Sequence, residues 1–581
     1  MDASRWLRPA ELRIGLGCMR LSSDEVDEKV AVDTIAAAVD SGITVFDTAL
    51  AYGRGELALG ENERLLAYGL RGRNQAALRV ITKGGMTRAG GAWIPDGRAR
   101  AIREDCEASL IALDGLPIDL YLLHAPDPRV PWRTSLRALA RLADEGLVRL
   151  VGLSNVTVGQ LDDALEVAPV AAVEVGLSVF DDTALRSGIV ERCTALGIPL
   201  VAHSPLGGQR RRSALARHPV LAEVARAHSS SPAEVALTWL LAVSPVIFPI
   251  PGARRPETAR SAARAAALLL DDDERSALDD AFGRRRTRAA VPPPTARGAE
   301  VTLVMGIPGA GKSHAAAAYV ERGYVRLNRD ERGGSLRELV DALEAELRGG
   351  ASRVVLDNTW LSRATRSRVL DVAARHGAAV RCVWLDTPLA QAQVNVAQRL
   401  IEVVGHLPSP EELRVAARTT AGVMAPMSQM RAQRSLEPPS MEEGFAGVER
   451  VPFVRAASRG RRTTAVVLEA AVLERPDWQA VVSDIDPAAP HLVMDWQPDA
   501  DAAVVAPYCA RLAEVVEGPI SGAVCPHRAG PPVCWCRPPL PGMAVEFAQA
   551  YGVELAACTV VGAGSAYRTL ANAVGARHVA V

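Results

Sequence analysis

Residues 306–313 read GIPGAGKS, preceded by Val301-Thr302-Leu303-Val304-Met305 and followed by His314-Ala315-Ala316-Ala317-Ala318. The first flank is an apolar β run and the second a helix former, so the octet is a strand–loop–helix turn of the form G-x-x-x-x-G-K-[ST]. Gly306, Gly309 and Gly311 let backbone N–H groups converge on nucleotide phosphates. Lys312 supplies a positive charge to the β/γ-phosphates, and the Ser313 hydroxyl suits Mg²⁺. ATP and Mg²⁺ are therefore the first expected ligands, on a parallel α/β sheet.

The chain around this loop is long. Its 581 residues exceed one core and predict three or four domains. With 66 Lys+Arg against 67 Asp+Glu, no global basic field marks a nucleic-acid binder, so such a partner needs a local patch. There is no apolar run of membrane-spanning length and no signal-peptide hydrophobic region in MDASRWLRPAEL, so no membrane association and a cytoplasmic location are expected. Nine cysteines in that setting predict thiols or metal ligands rather than a disulfide framework. Two polar, Arg-rich stretches punctuate the chain: GRRRTRAAVPPPTARGAE at 283–300 and AASRGRR at 456–462. They predict units at 1–283, 300–455 and 462–581, with 284–299 as linker. A homo-oligomer is expected.

In the first unit short apolar strands alternate with helical stretches, as in Thr44–Phe46, Arg79–Thr82, Asp119–Leu123, Val148–Gly152, Pro199–Ala202 and Val246–Ile250. This rhythm predicts a (β/α)₈ TIM barrel. Asp47, Lys83, His124 and the pair Ser154-Asn155 fall at strand C-terminal ends, where such barrels keep their chemistry. The segments FDTALAYG (46–53), ITKGG (81–85), LLHAPD (122–127), GLSN (152–155) and HSPLGG (203–208) resemble the aldo-keto reductases in order and spacing. That resemblance implies a tetrad of Asp47, Tyr52, Lys83 and His124. Tyr52 would protonate a carbonyl as hydride arrives from NAD(P)H, Lys83 paired with Asp47 would lower the Tyr52 pKa, and His124 would orient the carbonyl. Ser154 and Asn155 would hold the nicotinamide amide; Arg254 and Arg255 follow the last strand, where they either meet the 2′-phosphate of NADP(H) or form a solvated basic loop. Two positions depart from the family: Glu174 replaces the usual Gln, and His203 the usual stacking aromatic.

Beyond the phosphate loop, Leu327–Arg332 and Arg353–Thr359 each end a strand in an acid, Asp330 and Asp357. Arg363, Arg366 and Arg368 follow on a helix, and Arg399 lies on another helix after the strand within Val380–Leu385. A phosphate cradle, metal, base and Arg lid are the parts of phosphoryl transfer to a hydroxyl. Asp330 as a helix cap and the Arg cluster as a solvated face are the structural alternatives. NRD (328–330), VVLDNT (354–359), SRATRSR (362–368) and LEPPSMEEGFAGVERVPF (436–453) resemble the 5′-hydroxyl polynucleotide kinases. This implies Asp330 as general base, Arg399 as lid, Asp357 as a metal- or water-side acid, and Arg332, Arg363 and Arg366 on the phosphates of an RNA or DNA strand with a 5′-OH end. Repair of broken strands would follow. The alternative is a small-molecule kinase joined to a metabolic reductase.

In the last unit Cys525, His527, Cys534 and Cys536 form C-x-H-x₆-C-x-C, four ligands suited to a tetrahedral Zn²⁺. CPHRAGPPVCWCRPPLPGM (525–543) resembles zinc-containing haloacid-dehalogenase phosphatases of the histidinol-phosphate and heptose-bisphosphate type, which implies a Rossmann-like domain. The family's DxD reads Glu469-Ala470-Ala471 here, and its late GD…D reads Gly562-Ala563-Gly564 onward. Without nucleophile, acid and Mg²⁺ carboxylates, the unit is expected to be a pseudophosphatase.

Overall fold

The structure, a computed structural model, describes all residues except 1–5, 8–10, 24, 56–57, 90–91, 283–297, 421, 456–463, 484 and 531. The proposed linkers at 284–299, save its last two residues, and at 456–462 lie outside the described residues. The chain divides into two compact units, Met1–Arg288 and Ala289–Val581. Among the described residues no helix is long and apolar enough to cross a membrane.

The first unit is a barrel of eight parallel strands: β1 (Leu16–Gly17), β2 (Val45–Asp47), β3 (Arg79–Gly84), β4 (Leu120–Leu123), β5 (Leu150–Ser154), β6 (Val173–Gly176), β7 (Leu200–His203) and β8 (Ile247–Ile250). Closure runs from β8 to β1, where Gly15 N donates to Pro249 O at 3.0 Å and Gly17 bridges Gly252. A Cβ on Gly17 would stand 2.8 Å from the Ile250 carbonyl, so only glycine lets the seam close this tightly.

Strand periodicity sorts the side chains into two cores. Val45, Ile81, Leu120, Leu122, Val201, Phe248 and Ile250 fill the barrel interior. Their neighbours Phe46, Val80, Tyr121 and Leu123 pack outward against the helices. Each such buried side chain contributes about 1.5–3 kcal/mol. A hairpin, Met86–Ala89 paired with Ala92–Pro95, follows β3 and was not legible in the alternating rhythm.

The second unit holds two five-stranded parallel sheets. The first is ordered β10-β11-β9-β12-β13, with β9 Glu300–Met305, β10 Val325–Asn328, β11 Arg353–Asp357, β12 Ala379–Asp386 and β13 Gly447–Pro452. The second is ordered β16-β15-β14-β17-β18, with β14 Val466–Glu469, β15 His491–Trp496, β16 Ile520–Cys525, β17 Thr559–Val561 and β18 Arg577–Val579. Its spatial order, 3-2-1-4-5 in chain sequence, is that of a doubly wound sheet.

One helix, Leu389–Val404, belongs to both halves of this unit. Its Ala392 carbonyl leaves no room for a Cβ on Gly309 (2.4 Å), and its Asn395 Nδ2 donates to Gly309 O at 2.8 Å. Val394, Ala397, Leu400 and Ile401 of the same helix share one buried cluster with Cys525, Cys534, Trp535 and Met543.

Candidate functional sites

Strand ends β2 to β7 gather the barrel's polar residues. Lys83 is fully buried, and its ammonium bonds to the Asp47 carboxylate and to Thr48 O at 3.0 Å. A second carboxylate reaches it: Glu174 Oε2, from β6, lies 3.3 Å from Lys83 Nζ. Lys83 Nζ also lies 5.3 Å from the centroid of the Tyr52 ring, which meets His124 edge-on at 5.7 Å. The four tetrad residues predicted from the sequence are thus together and buried.

The electrostatics differ from the expectation in one respect. Lys83 was expected to bring the Tyr52 hydroxyl towards neutrality. Burial instead raises Tyr52 well above its ordinary value, and Asp47 and Glu174 push the same way while Lys83 pulls against them. One cation facing two carboxylates cannot offset a buried phenol's desolvation. Burial and the Glu174 charge push Asp47 well above the usual carboxylate range against the pull of Lys83. Burial, with Lys83 and His203, lowers His124 to about 3, so its ring is neutral at working pH. His124 Nδ1 is buried without a hydrogen-bond partner.

Asn155 sits in the left-handed region (φ 58°) with Nδ2 on His124 O and Ser154 Oγ, both at 3.0 Å, and Oδ1 3.3 Å from His203 Nε2. Arg255 is exposed at the start of the helix Pro256–Ala265, and Arg254 is paired with Glu25. Trp93 of the hairpin escaped the sequence reading. Its ring lies 6.0 Å from Tyr52 and 5.8 Å from His124, with the Arg88 guanidinium stacked on it at 5.1 Å.

In the second unit a cavity of about 350 Å³ is lined by Gly309, Gly311, Lys312, Ser313, Asp330, Asp357 and Arg399, among others. Gly309 and Gly311 take φ of 84° and 91°, which the turn requires of glycine. Gly306, at φ 150°, lies behind the loop against the Leu385 carbonyl. Lys312 Nζ donates to Ile307 O at 2.9 Å. Burial lowers the ammonium to about 8, Asp357 and Asp330 opposing and Arg399 and Arg329 adding to the effect. The helix cap at 328 is Asn328, whose Oδ1 accepts from Asp330 N at 2.7 Å, so the Asp330 carboxylate does not serve as the cap; it lines the cavity with the Arg329 guanidinium 3.5 Å away. Asp357 is buried and accepts from Asn328 Nδ2 at 2.8 Å and Arg326 Nε at 3.2 Å. Arg329, unremarked in the sequence reading, also lines the cavity.

The basic residues expected on a substrate strand separate. Arg366 is a correction: it is fully buried and donates bidentately to Glu443 (2.8 and 2.6 Å) and through Nη1 to the carbonyls of Trp360, Leu361 and Glu437. It ties the 436–443 loop to the helix Arg363–Arg375 and is buried away from any ligand in the cavity. Arg332 is exposed and Arg363 half-buried, and neither lines the cavity.

Cys525, His527, Cys534 and Cys536 bring one donor atom each within 4.8 Å of one another. Cys525 Sγ lies 3.7 Å from Cys534 Sγ, and His527 Nδ1 lies 3.3 Å from Cys536 Sγ. At the end of β14, Glu469 accepts from Ala563 N at 2.8 Å.

The sequence profile of the aldo/keto reductase family matches residues 13–282. A probable aldo-keto reductase of Glycine max is 30% identical over 273 residues, covering 41% of this chain and 76% of the relative. The chain belongs to the aldo/keto reductase family. An uncharacterized oxidoreductase of Schizosaccharomyces pombe is 32% identical over 250 residues, with the same shares covered. A thermostable aldo-keto reductase crystallised with the inhibitor epalrestat is 28% identical with a TM-score of 0.41, covering 47% of this chain and 97% of that one. An aldo/keto reductase from Klebsiella pneumoniae solved with NADPH is 25% identical with a TM-score of 0.40, covering 46% and 90%. A profile described as an AAA domain matches residues 301–403, the segment holding the phosphate loop. The family membership thus rests on the barrel, and a P-loop nucleotide-binding unit of kinase-like type follows it.

Proposed function

We propose that the chain is a bifunctional enzyme: an NAD(P)H-dependent carbonyl reductase in its barrel and an ATP-dependent 5′-hydroxyl polynucleotide kinase in residues 300–455, joined to a zinc-stapled, chemically inert phosphatase-like segment. The observation that carries the kinase is the convergence of Lys312, Ser313, Asp330 and Arg399 on one cavity. Lys312 and Arg399 would neutralise the transferring phosphate, Ser313 and Asp357 would hold Mg²⁺, and Asp330 would take the proton of the acceptor hydroxyl. A 5′-OH strand end as acceptor is supported by NRD, VVLDNT and the 436–453 motif, not by Arg366. The rate of transfer measured against oligonucleotide length tests this. A strand acceptor predicts a rise with length, and equal rates with a free nucleoside would move the assignment to a small-molecule kinase.

The reductase reading rests on the buried tetrad. NADPH would supply the hydride, Tyr52 the proton, and neutral His124 a hydrogen bond to the carbonyl oxygen. Oxidation of NADPH by a simple aldehyde, lost in Tyr52→Phe, is the expected result. Zinc at the Cys/His cluster is supported by geometry: a tetrahedral site with Zn–S near 2.3 Å spaces two sulfurs about 3.8 Å apart, and Cys525 and Cys534 are 3.7 Å apart. One zinc per chain by metal analysis is expected. The phosphatase-like sheet then serves as a brace, since its core is continuous with the helix Leu389–Val404 that packs on the phosphate loop.

A further inference from the structure

Family membership accounts for Asp47, Tyr52, Lys83 and His124, and leaves Glu174 without a task. Its carboxylate is buried on β6, 3.3 Å from Lys83 Nζ, and its Oε2 receives no hydrogen bond. Asp47 bonds to the same ammonium from β2. The ionisable groups facing this cluster are Tyr52 after β2, His124 after β4, His203 at the end of β7 and Cys18 after β1. Lys83 is the single cation among them.

We propose that Glu174 is a positioning residue for the reduction: it flanks the Lys83 ammonium beside Asp47, so that two carboxylates rather than one set how much positive charge reaches the Tyr52 hydroxyl. The proposal rests on the reductase reading of the barrel. Beside the same ammonium, the Glu174 charge raises the cost of ionising Asp47, and burial raises Glu174 itself. While Asp47 keeps its proton, Lys83 faces one net negative charge. Once Asp47 ionises, Lys83 faces two, its field at Tyr52 is cancelled, and the phenol holds its proton to higher pH. Reduction needs that proton on Tyr52, so the arrangement extends the reducing form into alkaline solution. A neutral amide at this position could not do this.

The test uses full-length protein and reads Tyr52 directly. Tyrosinate absorbance is titrated in wild type, Glu174→Gln and Glu174→Asp, each with its Tyr52→Phe counterpart subtracted. In parallel the pH profile of kcat is measured with NADPH and 4-nitrobenzaldehyde. Glu174→Gln is expected to lower the Tyr52 titration by about one pH unit or more. It should move the alkaline limb of kcat with it. Glu174→Asp, which draws the carboxylate back by one methylene, should give a smaller downward shift. An unmoved Tyr52 titration in either variant overturns the proposal, as does an Asp shift equal to the Gln shift, which would assign the effect to packing. A shifted titration without NADPH oxidation by any variant or the wild type would sustain the charge relation and remove the reductase reading instead.

Discussion

The indole N–H of Trp535 donates to the carbonyl of Met424 at 2.9 Å, joining the Cys/His knuckle to the wall of the P-loop cavity. Trp535 is fully buried between Cys534 and Cys536, and the carbonyl of Trp535 accepts from Gly542 N at 3.1 Å. Gly422, Val423 and Met424 line the cavity together with Arg399. A Cβ on Gly422 would stand 2.7 Å from the Arg399 guanidinium, so this segment fixes where that arginine lies. Removing the staple should therefore be felt in the nucleotide site. Trp535→Phe keeps an aromatic side chain of smaller volume and loses the hydrogen bond, which is worth about 0.5–1.5 kcal/mol. ATP affinity measured by calorimetry should fall roughly 3–10-fold if that loss is transmitted, and a fall of the same kind is expected on chelation. Unchanged ATP affinity in both would remove the bracing role.

Arg366 is predicted to govern stability rather than strand binding. Its truncation leaves Glu443 buried and unpaired, at a cost of about 3–5 kcal/mol, because both side chains are almost wholly inaccessible. Thermal unfolding of Arg366→Ala should begin well below wild type, while Arg399→Ala, an exposed residue, should unfold normally and lose phosphoryl transfer. Normal stability of Arg366→Ala with loss of strand affinity would restore the original assignment.

How much of this was legible in the chain depends on where each residue's partner lies. The phosphate loop was readable because eight consecutive residues carry its whole requirement, and the barrel because its strands repeat at helix-and-strand spacing. The tetrad followed from strand ends and from the family resemblance. Arg366 was misread because its partner Glu443 is 77 residues away, and an arginine in a basic run looks alike whether solvated or buried. Trp93 was missed because the hairpin bearing it is an insertion in the barrel rhythm. The Glu174 contact was invisible because strand spacing says which residues end a strand, not which two carboxylates share one ammonium.

His124 should leave a mark on acid stability. Its folded value of about 3 lies below the ordinary 6.5, so between these values the unfolded chain binds the proton and the folded chain does not. Stability conferred by the neutral ring is present above 6.5 and is lost as pH falls towards 3, at up to about 1.4 kcal/mol per pH unit. Unfolding midpoints of His124→Gln should fall less steeply across that window than those of wild type. An equal slope would mean the ring is protonated in the native state.

Nucleotide binding and transfer should separate at the P-loop site. Asp330→Asn leaves the phosphate cradle intact, so ATP binding should be near wild type while transfer falls about 100-fold or more through loss of the base. Lys312→Ala should weaken ATP binding itself. A loss of ATP binding in Asp330→Asn would make Asp330 a structural or metal-side residue rather than the base.

The measurement that bears most directly on the account is transfer of labelled γ-phosphate from ATP to a 5′-OH oligonucleotide, single-stranded RNA and DNA side by side, with Lys312→Ala and Asp330→Ala as controls. Transfer to at least one strand, abolished by both substitutions, is the predicted result. No transfer to either strand, from folded protein that binds ATP, would contradict the polynucleotide kinase assignment and leave the reductase as the main activity of the chain.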